Sequence, residues 1–436
     1  MFCAIKISKS DPTPLYIQLA NELIRLIDAG ILPARTKLPT IRLLASKLKI
    51  NRDTVVNAYK LLESKNYVIA HMGSGTYVAP QPNIGTKKDC PPIATSKTYF
   101  NRDLFSIDMC KNIMLNILDN EGWDSFIDPL NRERNLIRIS ICNFLKTAGV
   151  SGTVSNTRLI KNIPNFLLEL IKLSSKSAIC VEAFRDLSYT STLNYLGFKV
   201  IEIPITDNGL NLDVLETQLK SQNVSYILIN PCNQNPTGIS YSLENKLKLI
   251  ELADKYDTYI IEDGTFSDFT YYSTNINTCY DLCKNDRVIY LYNFCKLYLP
   301  NLDYSFVVLP AKLQKRLIDD MNITISERFV RYYLESEYFI NLRQILIKDS
   351  ARKYAKLKMC LDLSTNLTNT STSGLFFWLT PLSKEKIYNT LLEKNIVVSP
   401  SDLFSVSHID NSFRLSIAPL SDTDIEQIID VLENYV

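Results

Sequence analysis

Three polar residues in the middle of the chain suit the chemistry of an amine with a carbonyl compound. Asn235 and Lys296 each follow a short apolar run, and Asp263 ends another. A lysine amine can form an imine with an aldehyde, a carboxylate can bond a protonated ring nitrogen, and an amide can donate to an oxygen on the same ring. Brought together, these side chains would hold an aromatic aldehyde.

The apolar runs around these residues are predicted to be buried strands of one mainly parallel sheet in an α/β domain. Each run is five or six residues long, and helical patterns such as Leu243–Tyr256 lie between several of them. The carboxyl ends of parallel strands meet at one edge of a sheet, where ligands bind. The predicted strands are Ala178–Glu182, Lys199–Ile203, Tyr226–Asn230, Tyr259–Asp263, Val288–Tyr292 and Ser305–Leu309.

This placement predicts a pyridoxal 5′-phosphate site. In such a site the lysine forms a Schiff base, the carboxylate keeps the pyridine nitrogen protonated, and a neutral donor meets the phenolic oxygen. Lys296, Asp263 and Asn235 have those side chains. Each also has a structural interpretation, as a surface lysine, a helix-capping acid and a turn residue.

The first eighty residues predict a winged helix-turn-helix. Apolar positions three and four residues apart predict a helix over Leu15–Ile31, and Thr40 and Asn51 are placed to cap two further helices. Tyr67–Val78 has the pattern of a β-hairpin. Residues 1–80 hold 11 Lys and Arg against 5 Asp and Glu, whereas the rest holds 37 against 41. A basic domain with three helices followed by a hairpin favours double-stranded DNA as the partner.

The predicted DNA contacts lie at the starts of the second and third helices and at the hairpin tip. The third helix of such a domain enters the major groove, and the hairpin lies along the backbone or minor groove. Asn51 can alternatively be only a helix cap and Arg52 only an exposed arginine. The predicted contacts are Arg42, Asn51, Arg52, Thr54, Asn57, His71, Gly73, Ser74 and Gly75.

Composition limits the remaining classes of protein. The 436 residues are 46% hydrophobic and 22% charged, as in ordinary globular proteins. No apolar stretch approaches the roughly 20 residues of a membrane span, and the start lacks a secretory signal, so a cytoplasmic location is expected. Ten scattered cysteines and only two histidines argue against disulfides and a metal site.

We predict three segments along the chain. Residues 1–80 form the DNA-binding domain, residues 81–103 a proline-containing linker, and residues 104–436 the α/β domain with a small lobe from about residue 364.

The first segment resembles the winged-helix domain of GntR-type bacterial regulators, because five blocks occur in the same order. In that family the positions of Arg42, Arg52 and the hairpin glycines contact operator DNA, which implies the same role here. The five blocks are Pro14–Ala20, Gly30–Pro33, Lys37–Ala45, Asn51–Leu62 and Gly73–Val78.

The large domain resembles a fold type I aminotransferase, and its fusion to a GntR-like domain is similar to the MocR regulators. The resemblance implies pyridoxal 5′-phosphate at Lys296, Asp263 and Asn235, an α-carboxylate at Arg414, a homodimer, and an amino compound or vitamin B6 vitamer as effector. Its motifs are Asn233–Gly238, Ile261–Asp263, Tyr290–Lys296 and Ser412–Ser416.

The chain departs from this family where the cofactor phosphate binds. Asp303 replaces the family's arginine, and Lys161-Asn-Ile-Pro164 stands where a small-residue loop is expected. The chain has only 12 glycines, under half of the usual ~7%, and none lies in that loop. Lys161 and Arg185 are candidates for replacement phosphate contacts. The other departures are Thr265, Asn293 and Cys295.

Three functions remain open from the sequence. The first is a transcription regulator that senses a small ligand through pyridoxal 5′-phosphate or an aldimine of it. The second is the same regulator with a cofactor-free sensor or dimerisation body. The third is an aminotransferase with an accessory DNA-binding head, for which efficient turnover is not expected because phosphate contacts are missing.

Overall fold

The chain divides into two units, Met1–Pro92 and Ile93–Val436, and each has its own apolar core. The boundary differs from the predicted linker, because residues 93–103 belong to the second unit. Ile93 forms a parallel bridge with Ile396, and the buried Thr95 donates its hydroxyl to the carbonyl of Val397 at 2.8 Å. The computed structural model describes residues 14–28, 32, 36, 38–65, 67–71, 75–78, 93–127, 132–187, 192–194, 197–271, 277–299, 302–317, 323–381, 386–407 and 410–433.

The first unit has the predicted order of three helices and a hairpin. Its core joins α1 to α3 through buried leucines such as Leu19 and Leu23 and through Val55 and Leu62. The segment before α2 extends the hairpin, since the Leu38 amide donates to the Thr76 carbonyl at 2.9 Å. The elements are α1 (Leu15–Asp28), α2 (Ile41–Leu48), α3 (Arg52–Ser64), β1 (Val68–His71) and β2 (Gly75–Val78).

The second unit is built around a seven-stranded sheet with apolar clusters on both faces. The strand order is β3-β11-β10-β9-β8-β4-β5, and only β11 runs antiparallel to its neighbours. The predicted mainly parallel α/β fold is therefore confirmed. The strands are β3 (Thr157–Lys161), β4 (Ala178–Glu182), β5 (Lys199–Ile203), β8 (Val224–Ile229), β9 (Tyr259–Asp263), β10 (Val288–Tyr292) and β11 (Tyr304–Val308), with a separate hairpin of β6 (Ile205–Thr206) and β7 (Gly209–Leu210).

Helices precede the sheet, connect its strands and continue beyond it. Most have a polar cap at the start, such as Asn162 on α6 and Ser242 on α8. They are α4 (Ile107–Glu121), α5 (Arg132–Thr147), α6 (Ile163–Leu173), α7 (Leu212–Ser221), α8 (Leu243–Lys255), α9 (Cys279–Leu282), α10 (Phe294–Tyr298), α11 (Ala311–Gln314), α12 (Ile325–Glu335) and α13 (Glu337–Asp362).

A small antiparallel lobe follows α13. Its strand order is β12-β13-β15-β14, and α15 packs against the long helix α13. The elements are β12 (Leu367–Asn369), β13 (Phe376–Pro381), α14 (Lys386–Glu393), β14 (Ser399–Pro400), β15 (Phe413–Ser416) and α15 (Asp422–Glu433).

Four further observations concern the described part of the chain. No helix there has the length and apolar character needed to cross a bilayer, and no cluster of His, Cys, Asp and Glu there is arranged to hold a metal ion. The eight cysteines described are free thiols. An apolar face is exposed at the end of α4 and the turn after it, where Trp123, Phe126 and Ile127 are 81%, 62% and 57% exposed.

Candidate functional site

The candidate DNA-contacting surface of the first unit is set by two helix caps. The Thr40 hydroxyl accepts the Leu43 amide at 3.3 Å and starts α2, and the Asn51 side chain accepts the Asp53 amide at 3.3 Å and starts α3. Asn51 is therefore a cap, as its structural interpretation requires. The caps fix where each helix begins, and thereby which residues occupy its first turn.

Most of the predicted DNA contacts that the structure describes are on the surface. Arg42, Arg52 and Asn57 are exposed, and Thr54 is half-buried. Val55 and Ala58, on the same helix as Arg52, are fully buried, so α3 keeps one face in the core while Arg52 is exposed at its start. His71 pairs with Gly75 at the end of the hairpin, and Gly73 and Ser74 lie outside the described residues.

In the second unit, the side-chain amine of Lys296 contacts an acid that was not predicted from the sequence. Its Nζ lies 2.8 Å from Oδ2 of Asp186 and 5.6 Å from the ring centroid of Phe266. Lys296 is on the short helix α10, whose cap Asn293 accepts the Lys296 amide at 3.1 Å. Asp186 follows the carboxyl end of β4, so the rule that located the other three residues would also have found it.

Asp263 lies at the carboxyl end of β9 as predicted. Its Oδ1 accepts the amide and the hydroxyl of Thr265 at 2.9 and 2.5 Å. Burial raises the pKa of the Asp263 carboxyl, while the bonds from Thr265 and the charge of Lys296 oppose that rise. The intervening Gly264 is required, because a Cβ there would lie 2.0 Å from the Tyr290 hydroxyl oxygen.

Asn235 and Arg414 are brought together. Arg414, in β15 of the small lobe, donates to Oδ1 of Asn235 and to the Ser96 carbonyl, both at 2.6 Å. Its guanidinium lies 5.0 and 4.7 Å from the ring centroids of Phe376 and Phe404. The side chain is buried, and its Nε has no hydrogen-bond partner in the described part of the chain. Burial lowers its pKa to about 10, because a buried cation without a hydrogen-bonded acid is poorly solvated.

A buried glutamate holds the loop that carries Asn235. Glu182, at the end of β4, accepts the amide of Asn230 at 3.0 Å and the side-chain amide of Gln234 at 3.1 Å. The side chain of Asn230 in turn accepts the Asn235 amide at 2.8 Å and donates to the Asp263 carbonyl at 2.6 Å. Burial raises the pKa of Glu182 to about 7. One hydrogen-bonded network therefore positions both Asn235 and Asp263.

The two candidate replacements for phosphate contacts are engaged elsewhere. Lys161 forms an ion pair with Glu327. The Glu327 carboxylate also accepts a hydrogen bond from the Tyr304 hydroxyl at 2.7 Å. Although burial opposes it, these bonds hold the pKa of Glu327 below its ordinary value. Arg185 pairs with Glu202 at 2.9 Å. Each of these two cations therefore already has an acid partner within the protein.

The residues therefore fit one part of pyridoxal 5′-phosphate and not the other. Lys296, Asp263 and Asn235 each lie at or after the carboxyl end of a strand, and Asn230 bonds both the Asp263 carbonyl and the Asn235 amide. The half-buried carboxylate of Asp263 has the charge that a pyridinium nitrogen needs. On the phosphate side, Asp303 is an exposed acid and its carbonyl accepts the amide of Asn162 at 3.0 Å. The ring of the cofactor fits these residues, and its phosphate does not.

Comparison with known proteins gives two family matches. Residues 161–432 match aminotransferase class I and II, and residues 15–78 match bacterial regulatory proteins of the gntR family. The chain is 22% identical to the uncharacterized HTH-type transcriptional regulator YdfD of Bacillus subtilis, over 96% of this chain and 95% of that protein. It is 22% identical to the probable rhizopine catabolism regulatory protein MocR of Rhizobium meliloti, over 80% of this chain and 77% of that protein.

Solved structures share the fold. A multiple substrate aminotransferase from Thermococcus profundus superposes with a TM-score of 0.68 at 20% identity, over 80% of this chain and 92% of that one. An archaeal alanine:glyoxylate aminotransferase superposes with a TM-score of 0.68 at 19% identity, over 95% and 98% of the two chains. At these identities the likeness extends to the fold alone.

Proposed function

Because the chain belongs to the aminotransferase class I and II family and carries a gntR-family domain at its amino end, we propose that it is a transcription regulator. Its first unit binds operator DNA, and its aminotransferase-like second unit senses a small ligand. The observation that carries the proposal is the exposed Arg52 at the start of α3, on a domain matched to gntR regulators. The cytoplasm, where bacterial DNA lies, is the expected location.

In the DNA complex, Arg42 binds a backbone phosphate. Arg52, Thr54 and Asn57 face base edges in the major groove. We infer a homodimer, since two copies of such a domain match two operator half-sites. The exposed Trp123 and Phe126 support this inference, because neighbouring large apolar side chains on a surface are characteristic of an interface.

For the ligand, Lys296 is the imine-forming amine, Asp263 the acceptor for a ring nitrogen and Asn235 the donor to a ring oxygen. Arg414 receives a carboxylate, because its guanidinium is buried and its Nε has no hydrogen-bond partner among the described residues. When bound, a pyridoxal ring supplies an electrophilic carbon and an electron sink. Amino-group exchange between amino acids and oxo acids would instead identify a working aminotransferase.

The DNA half of the proposal is tested by the salt dependence of binding. The probe is a duplex that full-length protein selects from a random library. Arg42→Ala should reduce the slope of log affinity against log salt by about 1, because one phosphate contact and its released counterion are lost. The measurement is filter binding over a salt series. An unchanged slope and an unchanged affinity would remove Arg42 from the DNA interface.

A further inference from the structure

We infer that the aldehyde held at Lys296 is one without a phosphate, and that the site therefore prefers pyridoxal to pyridoxal 5′-phosphate. The inference rests on the proposed function of the second unit as a ligand sensor and names the class of its ligand. It follows from three observations on the residues around Lys296: the cations are engaged, the backbone donors are used, and acids line the site.

The cations nearest to this edge of the sheet are held by other groups. Lys296 pairs with Asp186, Lys161 with Glu327, and Arg185 with Glu202. Arg414 is fixed by two hydrogen bonds and leaves only Nε without one among the described residues. A phosphate carries a charge near −2 and three strong acceptor oxygens, so a single N–H is far short of its needs.

At three of the four positions from Asn162 to Asn165, the start of α6 also offers no free backbone donor. A helix N-terminus ordinarily offers several N–H groups to a phosphate. Here Pro164 has no N–H, and the Asn165 amide is bonded to the Asn162 side chain at 3.3 Å. The amide of Asn162 itself donates to the Asp303 carbonyl at 3.0 Å. The helix that would cradle a phosphate is therefore capped by the protein's own groups.

Three acids lie beside Lys296 or beside the start of α6. Asp303 is exposed beside the start of α6, in a backbone conformation with a φ of 55°. Asp186 contacts Lys296, and Asp263 lies close enough to both for their charges to act on its ionisation. Like charges repel a dianion strongly but leave an uncharged hydroxymethyl group unaffected.

The groups that suit the ring remain, and the bond-forming step needs no co-reactant. The ammonium of Lys296 gives one proton to the Asp186 carboxylate, and the free amine adds to the aldehyde carbon. The C=N bond forms as the carbonyl oxygen leaves as a water molecule with the two protons of that amine. Nothing is oxidised or reduced. Asp186 thus holds Lys296 charged at rest and takes its proton when the aldehyde arrives.

The test compares the two aldehydes on the full-length protein. Pyridoxal and pyridoxal 5′-phosphate are titrated separately, the imine absorption band is followed, and borohydride reduction with mass analysis locates the adduct. We expect pyridoxal to bind at least about tenfold more tightly, the size of effect that one unfavourable screened charge contact produces. Lys296→Ala should remove the band and the adduct for both compounds.

The second part of the test compares two variants that each remove one negative charge. Asp303→Asn keeps a residue type that tolerates positive φ, and it should raise the affinity for pyridoxal 5′-phosphate by about fivefold while leaving pyridoxal unchanged. Asp207→Asn, in the exposed turn between β6 and β7, is the matched control and should change neither affinity.

Two results would overturn the inference. The first rejects only the ligand class, and the second also rejects the role of Lys296. If pyridoxal 5′-phosphate binds as tightly as pyridoxal or more tightly, the ligand class is wrong while the sensor function stands. If neither aldehyde is trapped at Lys296 although the same preparation binds its selected duplex, the aldehyde role of Lys296 fails too, and the DNA-binding function remains.

Discussion

Arg52→Ala should weaken binding of the full-length protein to its selected duplex by about tenfold to a hundredfold. Arg52 is the exposed first residue of α3, held there by the Asn51 cap. An arginine that bonds a base edge in the major groove contributes about 1 to 3 kcal/mol of discrimination. The measurement is filter binding at one fixed salt concentration, with the selected duplex and a scrambled one.

The control for this substitution is in the same domain. Arg25 lies on α1 and pairs with Glu22 at 3.1 Å, so Arg25→Ala removes an equal charge away from α3. We expect Arg25→Ala to change the affinity for the selected duplex by less than about threefold, because it only lowers the overall positive charge of the domain. Equal affinities for wild type and Arg52→Ala on both duplexes would contradict the placement of α3 in the major groove.

Arg328→Met should lower the unfolding free energy of the second unit by about 3 to 5 kcal/mol, as breaking a buried charge network does. Arg328 has no exposed side-chain surface and bonds Glu121 at 2.7 Å. It also donates to the carbonyls of Asp124, Ser125 and Ile127 at 2.9, 3.0 and 2.8 Å. Methionine fills similar space, but Glu121 and the three carbonyls lose the hydrogen bonds that Arg328 donates to them.

Urea unfolding followed by tryptophan fluorescence measures this loss, since both tryptophans, Trp123 and Trp378, lie in the second unit. The control is Arg316→Met, because Arg316 is exposed and is held by a bond to the Leu173 carbonyl at 2.8 Å. That change should cost less than about 1 kcal/mol. A similarly small loss for Arg328→Met would mean that the bonds to the turn after α4 contribute little.

The parts of the fold predicted correctly from sequence were those with a strong local signal. The strands Ala178–Glu182, Tyr259–Asp263 and Val288–Tyr292 have the predicted bounds, because short β-branched runs between polar segments identify buried strands. The caps Thr40 and Asn51 were also predicted, since their effect depends only on residues two or three positions away.

Features that depend on distant partners were missed. The strand Thr157–Lys161 has arginine and lysine within it and was not among the predicted strands. It pairs with β11, a strand far away in the sequence. Asp186 meets Lys296 across 110 positions, and Arg414 meets Asn235 across 179. Strand position alone could have placed Asp186 at the same edge of the sheet, but its pairing with Lys296 depends on the folded chain.

The central claim, that a ligand in the second unit controls DNA binding by the first, is tested most directly by one linkage measurement. The affinity of full-length protein for its selected duplex is measured with and without saturating pyridoxal, in wild type and in Lys296→Ala. We predict that pyridoxal changes wild-type affinity by about fivefold or more, the usual scale of coupling between sites, and leaves Lys296→Ala unchanged. Identical wild-type affinities with pyridoxal demonstrably bound at Lys296 would contradict the claim.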